Sequence, residues 1–461
     1  MPVTKIVVPT GHLATSPLVP ESFRRGVEAG PDYLVADAGS ADMGPAPLGA
    51  DKPSSYVRHQ RHDLEHMLLA ARDLDIPMII GSAADNGTDK SVDLFVDLIR
   101  DIARQHGLAP FTLTAIYSQQ PLEQVRSWVT DGPGLVGLNG RPDAATEVID
   151  RTEVVVAVMG VEPIVTALEA GADVIICGRS SDSAIFAAPL LFEGHGPADA
   201  YLAGKALECA SFAAEPFAGK ETIMGTISEA GVDITAMAEH QSCTPLSVAA
   251  HTMYERVDPF REYVPGGHVD LTECRYEQID AKTTRVTGQR FVADTYRVKL
   301  EGAGAVSERA IAMMGIRDPY TIEHIDRVVE LCREKTESVF GPIGSDYDLH
   351  YHLFGKNAVM GDRDPGPTHQ PHELGVVVDV AAADGLYAEE ICSVASRALF
   401  YVRLPQVKGT AGTAAIFIDE ILRPGPIYDW TLCHVVDVDD PHTLFRTVTT
   451  TIEEVTHATA G

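Results

Sequence analysis

Basic side chains are scarce in this sequence: 36 Lys and Arg stand against 66 Asp and Glu, leaving a formal charge of −30. Such a field repels a phosphate backbone and argues against nucleic acid as a partner, although a few local arginines and amides can still hold a small anion inside a cleft. Long hydrophobic runs are missing as well. No uninterrupted apolar stretch is long enough to cross a bilayer, so a membrane-spanning protein is not expected. Cysteines number 7, an odd count scattered without a CxxC pair, which argues against a disulfide framework and a cysteine-rich zinc site. The opening MPVTKIVVPTGHL has no basic flank, no long apolar centre and no small-residue cleavage site. It reads as a strand running into a turn, and a cytoplasmic location is expected.

What is present is ordinary globular material, 45% hydrophobic and 22% charged, in a chain of 461 residues. That length exceeds what one core normally supports and predicts two domains, divided as 1–242 and 243–461. In the first, short apolar runs at 5–8, 33–36, 78–80, 113–117, 154–158 and 174–177 alternate with helical patterns. Leu64, Met67, Leu68, Ala71 and Leu74 share one helical face, as do Val92, Phe95, Val96, Ile99 and Ile102. Alternating strands and helices predict an α/β fold: an open, mostly parallel sheet with helices on both faces and ligands at the carboxyl ends of its strands. After Cys243 the pattern changes. Residues 269–288 alternate like a hairpin, and 296–300 followed by 308–314 read as a strand pair. A helix at 320–340, strands at 349–353 and 375–380, a helix at 387–399 and a strand at 430–436 complete a β-α-β-β-α-β order. It suggests an α+β sandwich of the ferredoxin-like kind.

Polar turns at predicted strand ends are the candidate sites. Residues 36–49, ADAGSADMGPAPLG, place Asp37, Ser40 and Asp42 beside glycines that allow close approach to a ligand; an Asx-type turn explains the same residues. Residues 81–91, GSAADNGTDKS, put Ser82 and Asn86 before a helix start, where free amides cradle an anion and where simple capping by Asp89 or Ser91 is the alternative. The stretch is neither a Walker A sequence nor GxGxxG, so no cofactor is assigned. In 177–186, CGRSSDSAIF, Arg179 suits a substrate carboxylate and Asp182 a base, unless the two form a structural ion pair.

The second half offers weaker signals. Ser247, His251 and Glu255 in CTPLSVAAHTMYER fall at i, i+4, i+8 of a predicted helix, and Cys243 sits at its start. Groups stacked along one helix rarely reach hydrolase geometry. His350 and His352 share a strand face and, with His372 and Glu373, have the residue types of a metal site; core or interface histidines are the commoner reading, and no metal is assigned. Lys356 and Asn357, in a Gly-bounded loop, suit an acyl carboxylate or a phosphate.

Many of these segments, in this order, resemble the acyclic terpene utilisation AtuA-type family. The resemblance rests on PTG at 9–11, ADAGSADMGP, IIGSA, GVEPIVTALEAGADVIICGRSSDSAIFAA, LECASFAAEP, CTPLSVAAHTMYE, VDLTECRYEQ, VKLEGA, GIRDP, GKNAVMG and PHELGVVV, and runs to VDDPHTLF at 438–445. A glycine-rich turn of the family's pattern is replaced here by Ala84, Asp85 and Asn86. The family takes its name from a gene cluster degrading citronellol and geraniol through acyl-CoA intermediates, so the resemblance implies a catabolic role on a small carboxylate or acyl-CoA. The residues then predict lyase or hydratase chemistry, with Arg179 and Lys356 holding the anion, Asp37, Asp42 or Asp182 as base, and His251 or His372 as acid. A hydrolase using Ser247 or Cys243 and a non-catalytic subunit are the alternatives, and a homo-oligomer is expected.

Overall fold

The computed structural model describes residues 2–15, 17–217, 221–366, 370–409 and 411–453. Among them no helix is long and apolar enough to cross a membrane. The chain divides into two compact units: Met1–Gly304 with Trp430–Gly461, and Ala305–Asp429. The change of pattern seen at Cys243 therefore does not coincide with the division, and residues 243–304 stay with the first unit.

In the first unit, β1 (Thr4–Val8), β2 (Tyr33–Gly39), β3 (Met78–Asp85) and β4 (Phe111–Tyr117) are followed by two short strands, β5 (Val136–Gly137) and β6 (Val154–Ala157), and then β7 (Val174–Cys177). Parallel pairing joins β1 to β2, β2 to β3, β3 to β7 and β7 to β4. These strands are nearly all buried, because helices cover both faces. Val35, Ile79, Ile175 and Cys177 look toward Ala184–Phe192 and Pro197–Leu207. Leu34, Ala36, Met78, Ile80 and Ile176 look toward Val57–Leu74 and Asp89–His106. The strand period of two assigns neighbouring residues to opposite cores, and each aliphatic side chain so buried contributes about 1.5–3 kcal/mol.

The sheet is mixed, which corrects the mostly parallel expectation. On the outer side of β1 lie, all antiparallel, β8 (Ile223–Ser228) and β9 (Gly231–Ala236). A separate small sheet contains β10 (Arg261–Val264) and β11 (Gly267–Asp270), while β12 (Arg275–Gln278) and β13 (Thr283–Thr287) extend the large one from β9. β14 (Arg290–Ala293) completes the small sheet, and Arg446–Ile452 pairs antiparallel with β4 at the far edge. β6, read as a member of the parallel set, instead pairs with residues 300–303. A short buried run announces a strand but not its partner.

The pair read at 296–300 and 308–314 is one strand, β15 (Arg297–Ile316). Gly302 and Gly304, between the two stretches, serve close packing. A β-carbon on Gly302 would lie 2.9 Å from Leu432, and one on Gly304 only 1.9 Å from the Arg151 carbonyl oxygen.

The second unit continues from β15 through the helix Ile325–Phe340 to β16 (Tyr347–Phe354) and β17 (Leu374–Ala382), then through the helix Gly385–Tyr401 to β18 (Ala415–Ile416) and the start of β19 (Leu422–Asp437). β17 lies between β16 and β15, antiparallel to both. Its alternate residues Leu374, Val376, Val378 and Val380 form a core with Val328 and Cys332 of one helix and Ile391, Ala395 and Leu399 of the other. The element order read from the sequence is present.

Candidate functional site

The carboxyl ends of β1, β2, β3 and β7 lie side by side, and the turns that follow them converge. The Leu13 amide, in the turn after β1, donates to the Asp37 carbonyl at 2.9 Å, and the Ser82 amide at the end of β3 donates to the Gly178 carbonyl at 3.1 Å. Asp37 lies near the carboxyl end of β2, which is buried throughout, on the face that meets the helix Ala184–Phe192. A β-carbon at neighbouring Gly81 would sit 2.8 Å from Ile185 and 3.4 Å from Asp37 Oδ1, so glycine there admits both. Asp37 is 5% exposed. One carboxyl oxygen accepts the amides of Ala38 at 2.8 Å and Gly39 at 3.3 Å. Burial, then the neighbouring Asp182, pushes this carboxyl up to about 7, against the opposing pull of Arg179 and His12.

Arg179 follows β7 and is 7% exposed. Its Nε donates to Glu301 at 2.8 Å, and its Nη1 to Ser82 Oγ at 3.1 Å and to Asp182 at 3.3 Å. Lys299 also donates to Glu301 at 2.7 Å. Burial works against the Glu301 charge, but Arg179 and Lys299 outweigh it and hold the carboxyl down at about 2. The guanidinium expected to grip a substrate is thus already matched on one edge by Glu301. Its Nη1 edge is engaged as well, by Ser82, by the Ser180 carbonyl at 3.4 Å and by Asp182, of which Asp182 alone is half-exposed.

The carboxyl end of β3 is strained. Ser82, Ala84 and Asp85 have φ of 47°, 50° and 76°, left-handed values that cost non-glycine residues about 1–2 kcal/mol each. Asp85 anchors it: the carboxylate accepts the amides of Ser54 at 2.6 Å and Ser55 at 2.8 Å and the Ser55 hydroxyl at 2.7 Å, and His12 Nε2 lies 3.2 Å away. Burial raises this carboxyl, yet the His12 and Ser55 hydrogen bonds prevail and hold it below its ordinary value. Asn86 donates to the Pro47 carbonyl at 2.8 Å and accepts from Thr88 and Ser91. Ser40, Pro47, Asp85, Asn86, Arg179 and Glu301, with Trp430, line a narrow crevice with room for about one water molecule.

The anion cradle expected at the start of Asp89–His106 is filled by the chain itself. Thr88 caps the Ser91 amide, Gln119 accepts the Asp89 amide at 3.1 Å, and Asp89 adds its own carboxylate.

A second buried group adjoins the first and was not singled out in the sequence. Gly11 lies against the backbone of Cys209, where a β-carbon would come within 2.6 Å. Next to it Lys205 pairs with Glu208, and the Tyr254 ring covers the Lys205 ammonium at 4.4 Å while its hydroxyl meets Cys209 Sγ at 3.3 Å. Burial, opposed by Lys205 and reinforced by Asp182 and Glu262, pushes Glu208 well above the usual carboxylate range. Glu262 is likewise raised by burial and pairs with Arg256 at 2.7 Å. The available signal was a lysine and a glutamate at i, i+3 in the otherwise apolar AYLAGKALECA, where charges need partners.

Other expected residues lie elsewhere. Asp42 is exposed in the turn Ala41–Met43, whose start Ser40 caps. His251 is buried against Tyr254 and Phe212, and burial, then Lys205 and Arg256, pushes it down to about 3. A neutral imidazole is a poor acid at neutral pH, which corrects its assigned role. The helix Pro245–Thr252 ends before Glu255, so the one-face stack of Ser247, His251 and Glu255 does not form. Ser247 caps that helix and donates to the Ala213 carbonyl at 2.8 Å. Burial pushes the Cys243 thiol up to about 12. Cys243 should therefore resist iodoacetamide at pH 8 in the folded chain and react on unfolding, as peptide mass mapping would show.

In the second unit, Lys356 pairs with Asp326, Asn357 lies in the following turn and His372 is exposed ahead of β17. His350 and His352 share a face of β16, with His352 3.3 Å from Asp379. Among the described residues no three potential metal ligands gather. Thr368 and His369 of the THQPHELG segment lie outside the described residues.

Fold and site together define an α/β protein with a buried carboxyl–guanidinium cluster at the carboxyl edge of its parallel strands. The chain belongs to the acyclic terpene utilisation AtuA family: the model of that family, described as "Acyclic terpene utilisation family protein AtuA", matches residues 19–428. No curated protein and no solved structure matches it.

Proposed function

We propose that the protein is a cytoplasmic catabolic enzyme acting on a small carboxylate or acyl-CoA thioester by proton transfer, as a lyase or hydratase, and that it works as a homo-oligomer. The observation that carries this reading is the burial of the Asp37 carboxyl at the strand rim beside Asp182, which pushes it up toward neutrality. A group with that property moves protons most effectively at physiological pH. In this reading Asp37 takes the proton from the carbon next to the substrate carbonyl, and the electron pair of that C–H bond moves toward the carbonyl oxygen. The Nη1 edge of Arg179 takes the substrate carboxylate in place of Asp182. Lys356 and Asn357 do not enter, since Lys356 is paired with Asp326. We read the second unit as a ferredoxin-like layer.

The test is an assay of the purified chain against short and branched acyl-CoAs and hydroxy-dicarboxylates. As a base, Asp37 must be ionised, so kcat/KM should rise through about pH 7. Asp182→Asn removes the neighbour that raises Asp37, and the rising limb should move to lower pH. A limb that stays in place, or persistent silence toward the whole panel, contradicts the proposal; silence favours a non-catalytic subunit.

A further inference from the structure

The helix Ala184–Phe192 is wholly apolar, and its amino end meets the strand rim at Asp37 through the contact of Ile185 with Gly81. Ser183 stands at its N-cap position with no side-chain capping bond. The Ser183 hydroxyl is buried in a residue only 1% exposed and has no partner among the described residues. Thr10, two residues past β1, is fully buried, and its hydroxyl is likewise unpartnered among the described residues. The adjoining turn is tied to the same place, because the Leu13 amide donates to the Asp37 carbonyl. The Ala184 amide turns back to Ser181 at 2.9 Å and the Ala187 amide to Ser183 at 3.0 Å, while those of Ile185 and Phe186 have no acceptor among the described residues.

Buried polar groups are normally paired, and two hydroxyls left so, one at an uncapped helix start and one just past β1 at the same strand rim, share one chemical need, an atom with lone pairs. The positive end of a helix makes a negatively charged oxygen the best fit, and charge that develops during a reaction is stabilised most by donors already in place. We propose that Ser183, Thr10 and the first amides of the helix Ala184–Phe192 form an oxyanion subsite for an enolate or carboxylate oxygen of the substrate. This rests on the reading of Asp37 as the proton-moving group, and narrows the substrate to one with an enolisable carbonyl. The negative charge left when Asp37 removes the proton then sits on the oxygen held by this subsite.

The probe is oxalate, a planar anion resembling an enolised carboxylate, titrated calorimetrically into the full-length chain. Ser183→Ala and Thr10→Val should each weaken oxalate binding about tenfold. In the oxalate-free protein neither should lower Tm, because each deletes a buried hydroxyl that makes no bond. A merely structural hydroxyl would show the opposite, a lower Tm with unchanged affinity, and would overturn the proposal, as would a chain that binds no oxalate. Asp37→Asn separates the two readings. If it abolishes turnover while oxalate affinity ignores both hydroxyl variants, the subsite is wrong and the proton-transfer reading stands. Hydroxyl-dependent oxalate binding in an enzyme indifferent to Asp37→Asn would mean the reverse: the subsite stands and the proton-transfer reading is wrong.

Discussion

Asp37→Asn is expected to lower turnover by about 10²–10⁴-fold, the usual contribution of a positioned acid or base, while making the folded chain more stable at pH 8. The two effects have one cause. In the folded chain the carboxyl keeps its proton until about pH 7, against 3.8 for the ordinary group. Between those values the folded state binds a proton that the unfolded state has released, so stability is full below the lower value and falls as pH rises to the upper one, by about 4 kcal/mol. Asparagine is free of that loss and still presents an oxygen to the Ala38 and Gly39 amides. The Tm difference between variant and parent should therefore grow from pH 4 to pH 8, in scanning calorimetry at matched salt. A variant less stable at pH 8 than at pH 4, relative to the parent, would show that the Asp37 carboxyl is not held protonated.

Gly87→Ala should be the most damaging small substitution near the site. Its φ of +64° is left-handed, and a β-carbon would fall 2.1 Å from the Arg179 backbone nitrogen. Neither backbone can yield without breaking the Arg179 amide contacts to Gly87 and Ser118. A loss above about 3 kcal/mol is expected. Gly30 supplies the control, since its φ is +65° with nothing within 4 Å of an added β-carbon. Gly30→Ala should cost only the conformational strain, about 1 kcal/mol. Urea denaturation of the pair separates crowding from conformation; equal losses would mean that the close approach of Gly87 to Arg179 is not needed.

Much of this site was legible in the sequence, for a physical reason. Asp37, Ser82, Asn86, Arg179 and Asp182 each follow a short apolar run that is a strand, and parallel strands bring their carboxyl ends to one rim. What escaped was the chemistry supplied from far along the chain. Glu301, which matches Arg179, lies inside a long strand that reads in sequence as a pair of strands on either side of it, and Lys205 with Glu208 sits at the end of an apolar helix. Their pairing depends on which surfaces meet, and side-chain spacing carries no record of that. The anion cradle at 81–91 failed differently. Free amides were expected there, but Thr88 takes that of Ser91 and Gln119 that of Asp89, because polar residues close at hand compete with any ligand.

The buried state of one carboxyl can be read directly. Infrared difference spectra of the parent chain minus Asp37→Asn, followed from pH 4 to pH 9, isolate the protonated-carboxyl band of this side chain. A band that persists through pH 6 and titrates away near pH 7 is the predicted result. Its disappearance near pH 4, as for an ordinary aspartate, would contradict a site built around Asp37 as the proton-moving group.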